Sequence, residues 1–247
     1  MNSEQSGWER DLRQAAAHLS WLPMPGAHPG PGVAETRPLA GAVRALPVVG
    51  ATIGMVAGLA AALAHALDLH PGLAGIIGLA TWLAITGGRP ERHVARLLRQ
   101  HAVGPGAQDS ATIALVLLLA LNGAAIAGLV DGRAAVPMLT LGAGAAFGAA
   151  LAAAMAWRPA PAEAEAVGNP EPGRLRVALI LAAALIGGAG LLGLSLEHAL
   201  AGAAGGAGAA AVIARLAERR LGHLEGDALA AIALAAQTGF LVAANLA

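Results

Sequence analysis

From Ala45 to the C-terminus, seven apolar runs without a charged residue follow one another, separated by short polar breaks. They are Ala45–Leu67, Leu69–Gly88, Ser110–Val130, Ala134–Trp157, Val177–Leu196, His198–Ala214 and Ala228–Ala247. A helix rises about 1.5 Å per residue, so roughly 20 residues cross a bilayer and about 17 are tolerated. The pattern predicts an all-α, polytopic integral membrane helix bundle of about seven transmembrane helices. Six is the alternative count, because HPG interrupts the second run early and AGAAGGAGAA makes the sixth rich in glycine. With 57% of residues hydrophobic, 12% charged and a mean hydropathy of +0.65, an ordinary soluble domain is excluded.

The net charge of zero hides a spatial asymmetry. All fifteen basic residues are arginine. Arg10, Arg13, Arg37 and Arg44 precede the first run, and Arg89, Arg92, Arg96 and Arg99 follow the second. Arg158, Arg174 and Arg176 follow the fourth run, and Arg215, Arg219 and Arg220 the sixth, leaving only Arg133 in the intervening loops. By the positive-inside rule the N-terminus and these loops are cytoplasmic, and with seven spans the C-terminus lies outside. The organisation expected is a cytoplasmic amphipathic and Pro-rich segment, 1–44, and one transmembrane domain, 45–247, with cytoplasmic loops at 89–109, 158–176 and 215–227. Cysteine is absent, which removes disulfides, thiol nucleophiles and Cys-based metal sites.

Within 1–44, Trp8, Leu12, Ala15, Ala16 and Leu19 recur at helical spacing, so Trp8–Ser20 reads as a short amphipathic helix suited to the membrane interface, ended by WLPMPGAHPGPG. Gly50, Gly54 and Gly58 line one face of the first span, and Gly72, Gly75 and Gly78 do so on the second. Such stripes are packing surfaces where backbones approach closely. No Asp, Glu or Arg lies within a span, which disfavours an ion pathway or proton relay.

Two polar groups are left to carry chemistry. Arg92, Arg96 and Arg99 fall at i, i+4 and i+7 and share one helical face, with Val94, Leu97, Leu98 and His101 toward lipid. That face is suited to pyrophosphate oxygens or to anionic lipid headgroups, or is simply a basic interfacial loop. The other group is His223, Glu225 and Asp227, before the last span. Asp227 there reads either as a helix cap or, with Glu225, His223 and Asp109, as a small oxygen-and-nitrogen site. No nucleic-acid module is evident.

Short motifs, in order along nearly the whole chain, resemble the cobalamin synthase family, the adenosylcobinamide-GDP ribazoletransferases of the bacterial inner membrane. His18–Pro25 reads HLSWLPMP, Leu46–Gly50 reads LPVVG, Thr86–Gly88 reads TGG, Arg158 and Pro159 match an Arg-Pro step, and Arg219–Asp227 reads RRLGHLEGD. The resemblance implies a transferase that joins adenosylcobinamide-GDP and alpha-ribazole, or its phosphate, with release of GMP. It implies magnesium, held in the family by an acidic run after Thr-Gly-Gly. Here that run reads RPERHVARLLRQ, with Arg92, Arg96 and Arg99 at the aspartate positions and Pro90 at the histidine position. Three guanidiniums repel a hard cation. On this basis Asp227 and Asp109 are the candidate catalytic residues, Arg92, Arg96 and Arg99 the candidate phosphate- or lipid-binding residues, and His223, Glu225 and Arg158 stand behind them. The partners expected are membrane lipid, corrinoid and nucleotide-type small molecules, other cobalamin-biosynthesis proteins or a second copy, and no nucleic acid. The alternative reading is an inactive paralogue serving as membrane scaffold, regulator or lipid-binding partner.

Overall fold

A computed structural model of the chain describes residues 3–22, 42–101, 107–130, 135–156, 172–221 and 226–247. Among them are nine α-helices: α1 (Ser3–Leu19), α2 (Leu46–Ala66), α3 (Pro71–Thr86), α4 (Arg89–His101), α5 (Ala107–Val130), α6 (Ala135–Ala156), α7 (Pro172–Leu192), α8 (Leu196–Leu221) and α9 (Gly226–Leu246). Six are long and apolar enough to cross a membrane, and the count is seven if α3 and α4, bent by 85° at their junction, form one broken span. Helices satisfy their backbone groups internally, which lipid cannot do for them.

The uncertain runs are decided by their ends. Pro71 opens α3, and His70 caps it by accepting from the Gly72 amide at 3.1 Å. The second run therefore shortens to a 16-residue helix, about 24 Å long and less than a hydrocarbon core. The glycine-rich sixth run instead lies within the 26-residue α8.

Association in lipid gains little from apolar burial, so close backbone approach and a few polar links hold the bundle. A Cβ on Gly54 or Gly58 would run into the backbone of α6 at Leu141 or at Pro137 and Met138. The glycine stripe of α2 is thus the seam with α6. On α3, Gly75 faces Gly123 of α5, and Gly78 faces Ala57 and Ala61 of α2. Gly72 departs from the expected stripe: its nearest neighbour is the His70 ring of its own cap. The α8 glycines admit α9, since a Cβ on Gly206 would lie 2.6 Å from the Ala236 carbonyl oxygen, and one on Gly239 2.7 Å from that of Gly205. Two polar links tie α5 to α9: Asn122 Nδ2 donates to Thr238 Oγ1 at 3.0 Å, and Asn245 Nδ2 to the Ala125 carbonyl at 2.9 Å.

The N-terminal helix corrects a sequence expectation. Instead of turning its apolar side to lipid, α1 docks on the bundle. Asp11, 4% exposed, accepts from Arg44 Nε at 2.6 Å and from Arg174 Nη1 at 2.9 Å. The Arg44 guanidinium also lies 4.4 Å from the Trp8 ring centre. Ala15 is fully buried beside Val43, Ala45 and Leu46, with Trp8, Leu12 and Leu19 packed around them. Periodicity identified the apolar face of α1 but not the partner that covers it.

Candidate functional site

At one end of the bundle the chain makes a sharp corner between α3 and α4, and its sequence explains the turn. Gly87 and Gly88 have φ of 63° and 62°, the left-handed region where a side chain costs about 1–2 kcal/mol. Thr86 ties the corner: its hydroxyl donates to the Trp82 carbonyl at 2.9 Å and accepts from the Gly88 amide at 3.2 Å. Trp21 closes the outside, its amide donating to the Ile85 carbonyl at 3.2 Å and its indole Nε1 to the Ala84 carbonyl. The TGG and HLSWLPMP motifs therefore meet.

The corner swings α4 across the end of the bundle, off the direction of α3, and sets its residues against α1 and α9. Arg89 Nη1 donates to the Ala17 carbonyl at 2.6 Å, a cation at the C-terminal end of α1 where helix carbonyls lack partners. Although His18 keeps part of its surface exposed, burial first, and then the charges of His93 and Arg89, lower its imidazole pKa to about 4. Glu91 turns inward. It is 5% exposed, its Oε1 accepts from Trp82 Nε1 at 3.1 Å, and its Oε2 has no hydrogen-bond partner among the described residues. Burial pushes its carboxyl above the usual carboxylate range, against the opposing pull of backbone and Trp82 hydrogen bonds and the Arg92 charge.

The next inward-facing residue reaches α9. His93 Nδ1 contacts Asp227 Oδ1, and Arg96 Nη1 lies 3.5 Å from the same oxygen. The Asp227 side chain is 13% exposed, that of His93 36% and that of Arg96 56%. Asp227 lies in the first turn of α9, where the helix dipole also favours its negative charge. Arg92 and Arg99 are exposed on α4, as the helical spacing predicts, and Arg99 Nε donates to its own helix at the Ala95 carbonyl, 3.2 Å away.

Two small cavities lie beneath this layer. One of about 60 Å³ is lined by Leu19, Gly50, Thr86, Pro90, Gln237 and neighbouring aliphatic residues. The other, about 10 Å³, lies between Glu91, Trp82, Asn122 and Gln237 and has room for about one water. A pocket for a drug-sized ligand usually exceeds roughly 300 Å³.

Of the residues singled out from the sequence, Asp227 and Arg96 come together, with Arg92 and Arg99 on the same helix. Asp109 is exposed in the first turn of α5, and no described contact joins it to Asp227. Arg158, His223 and Glu225 lie outside the described residues. His93 and Glu91 were missed, and their signal was faint: both sit in an arginine-rich stretch where polarity alone reads as a solvated face. The described residues do not form a magnesium cage. Arginines occupy the positions where the resemblance expects aspartates, Asp227 is engaged by His93 and Arg96, and Glu91 is walled in by Trp82. Among the described residues no three His, Asp or Glu side chains are placed to share an ion.

The arrangement defines a class first: a multi-pass helical membrane protein with a cationic helix laid across one end and a His–carboxylate pair beneath it. Residues 11–94 match the family model for cobalamin-5-phosphate synthase, a stretch that holds the TGG and HLSWLPMP motifs meeting at the corner and stops two residues before Arg96. The chain is also 31% identical, over 259 aligned residues, to a Bradyrhizobium diazoefficiens protein named adenosylcobinamide-GDP ribazoletransferase, with 94% of this chain and 90% of that one covered. The chain belongs to this cobalamin synthase family. No solved structure matches it.

Proposed function

We propose that the protein is a transferase of cobalamin biosynthesis that joins adenosylcobinamide-GDP to alpha-ribazole or its phosphate and releases GMP. One observation carries the reading: Leu19 and Trp21, Gly50, and Thr86 with Gly87, from motifs far apart in the chain, gather at the end of the bundle where α4 carries its exposed arginines and faces Asp227. The relative's name supplies the substrate class. Arg92, Arg96 and Arg99 would receive the pyrophosphate by charge-assisted hydrogen bonds, and magnesium has no step in this scheme. Asp109, Arg158, His223 and Glu225 remain candidates from the sequence, to be tested by substitution. The inactive-scaffold alternative has no observation of its own in its favour.

The setting proposed is a bacterial inner membrane, with lipid around the spans and the arginine-bearing end in the cytoplasm, where nucleotide substrates are found. Reporter fusions at both termini test the orientation. The decisive experiment is a transfer assay on purified protein in detergent, with adenosylcobinamide-GDP and alpha-ribazole, following GMP. Release of GMP with formation of the joined corrinoid supports the function. No GMP, while a family member with the intact acidic run turns over in the same detergent, overturns it.

A further inference from the structure

His93 and Asp227 are 134 residues apart in sequence and meet in the fold. Their exposures set an order from inside outward. The carboxylate is largely covered at 13%, the imidazole is half-buried at 36%, and Arg96, which reaches the same carboxylate oxygen, is mostly in solvent. A carboxylate that engages Nδ1 fixes the imidazole ring and its tautomer, leaving Nε2 as the proton acceptor. Arg96 shares the Asp227 charge, so the carboxylate does not depend on a protonated imidazole for neutralisation.

We propose that His93 is the general base of the transfer reaction, positioned by Asp227, and that it takes the proton of the ribose hydroxyl that attacks adenosylcobinamide-GDP. The proposal rests on the transferase reading above. A hydroxyl oxygen of alpha-ribazole forms a bond to the phosphorus that carries the cobinamide. The bond from that phosphorus to the oxygen bridging to GMP breaks, and its electron pair leaves with GMP. The hydroxyl proton passes to His93 Nε2. No oxidant, reductant or further reactant is needed. The imidazole supplies proton acceptance from a helix on which arginines stand at the aspartate positions of the family motif, and Arg96 remains close enough to balance charge growing on the leaving phosphate.

The test uses the full chain in detergent and compares wild type with His93→Ala, His93→Gln and Asp227→Asn, each checked for a monodisperse, helical state. A positioned general base contributes about 10²- to 10⁴-fold, so both His93 variants should lose that much kcat while KM for adenosylcobinamide-GDP changes by less than about threefold. Added imidazole should restore part of the activity of His93→Ala, whose cavity admits it, and none of that of His93→Gln, whose longer side chain fills the space. Asp227→Asn should lower kcat without imidazole rescue. A folded His93→Ala with near wild-type kcat, or one that imidazole does not rescue, overturns the proposal while leaving the transferase reading intact. If His93→Ala does not fold, His93→Gln decides: near wild-type turnover overturns the general base. Absence of GMP from the wild type overturns both.

Discussion

Glu91 and Trp82 form a pair whose cost is visible atom by atom. One carboxylate oxygen has the indole donor, and the other is buried without a partner among the described residues. Leaving a buried acceptor unsatisfied costs roughly 1–3 kcal/mol, and ionising it there costs more. Glu91→Gln keeps an oxygen for Trp82 and removes the ionisation. Because the folded carboxyl titrates above its ordinary value, the native state binds more protons than the unfolded chain in that interval, and wild-type stability falls as pH rises through it. The difference in melting temperature in detergent, Glu91→Gln minus wild type, should therefore grow as pH is raised from about 4.5. A difference independent of pH would show that Glu91 stays ionised. His18 has the opposite sign. Its imidazole is depressed to about 4, so its contribution is lost as pH falls from about 6.5, by a small amount because the residue is partly exposed.

At the scale of elements, glycines decide where helices turn and how near they come. At Gly87 a substitution meets two obstacles, a left-handed backbone and a Cβ placed 3.0 Å from that of Trp21. Gly87→Ala should cost about 1–2 kcal/mol and shift α4, lowering transfer activity more than stability. Activity falling only in proportion to folded protein would show that the corner does not position α4. Gly54→Val presses on the α6 backbone at Leu141 and Gly142, and overpacking of this kind costs about 1–3 kcal/mol. A loss of melting temperature much greater than that of Gly173→Val, a position with open space around it, would identify the α2–α6 seam as the tight one. The corner and the seam were both legible as motifs, TGG and the repeat at four-residue spacing. Their neighbours were not, because a glycine records that something comes close without recording what.

At the scale of the whole molecule, one polar tether of α1 to the bundle is a carboxylate between Arg44, just before α2, and Arg174 of α7. Removing one partner of a buried ion cluster is costly, on the order of 3 kcal/mol. Asp11→Asn should release α1, read as faster proteolysis within 3–19 with the remaining helices still protected. Unchanged proteolysis would mean that the Leu12, Ala15 and Leu19 packing and the Arg89–Ala17 hydrogen bond hold α1 without the Asp11 cluster. The donor set also makes a prediction for the intact protein. A ligand that binds only the folded state raises the melting temperature, so millimolar magnesium alone should leave it unchanged, and a clear rise would locate a cation site outside the described residues.

The sequence by itself determined the class of molecule. Uninterrupted apolar runs of spanning length dictate helices in a bilayer, and the glycine repeats mark where backbones touch. These are properties of composition and local period, which survive without knowledge of any neighbour. Tertiary structure alone decided which polar residues matter. His93 reads as one more polar residue of a basic helix until Asp227 is brought to it from the far end of the chain. Asp11 carries no signal in the sequence until Arg44 and Arg174 close on it, and Glu91 none until the corner turns it inward against Trp82. Charge pairing and burial depend on distances between segments remote in sequence, and only the packed bundle sets those distances.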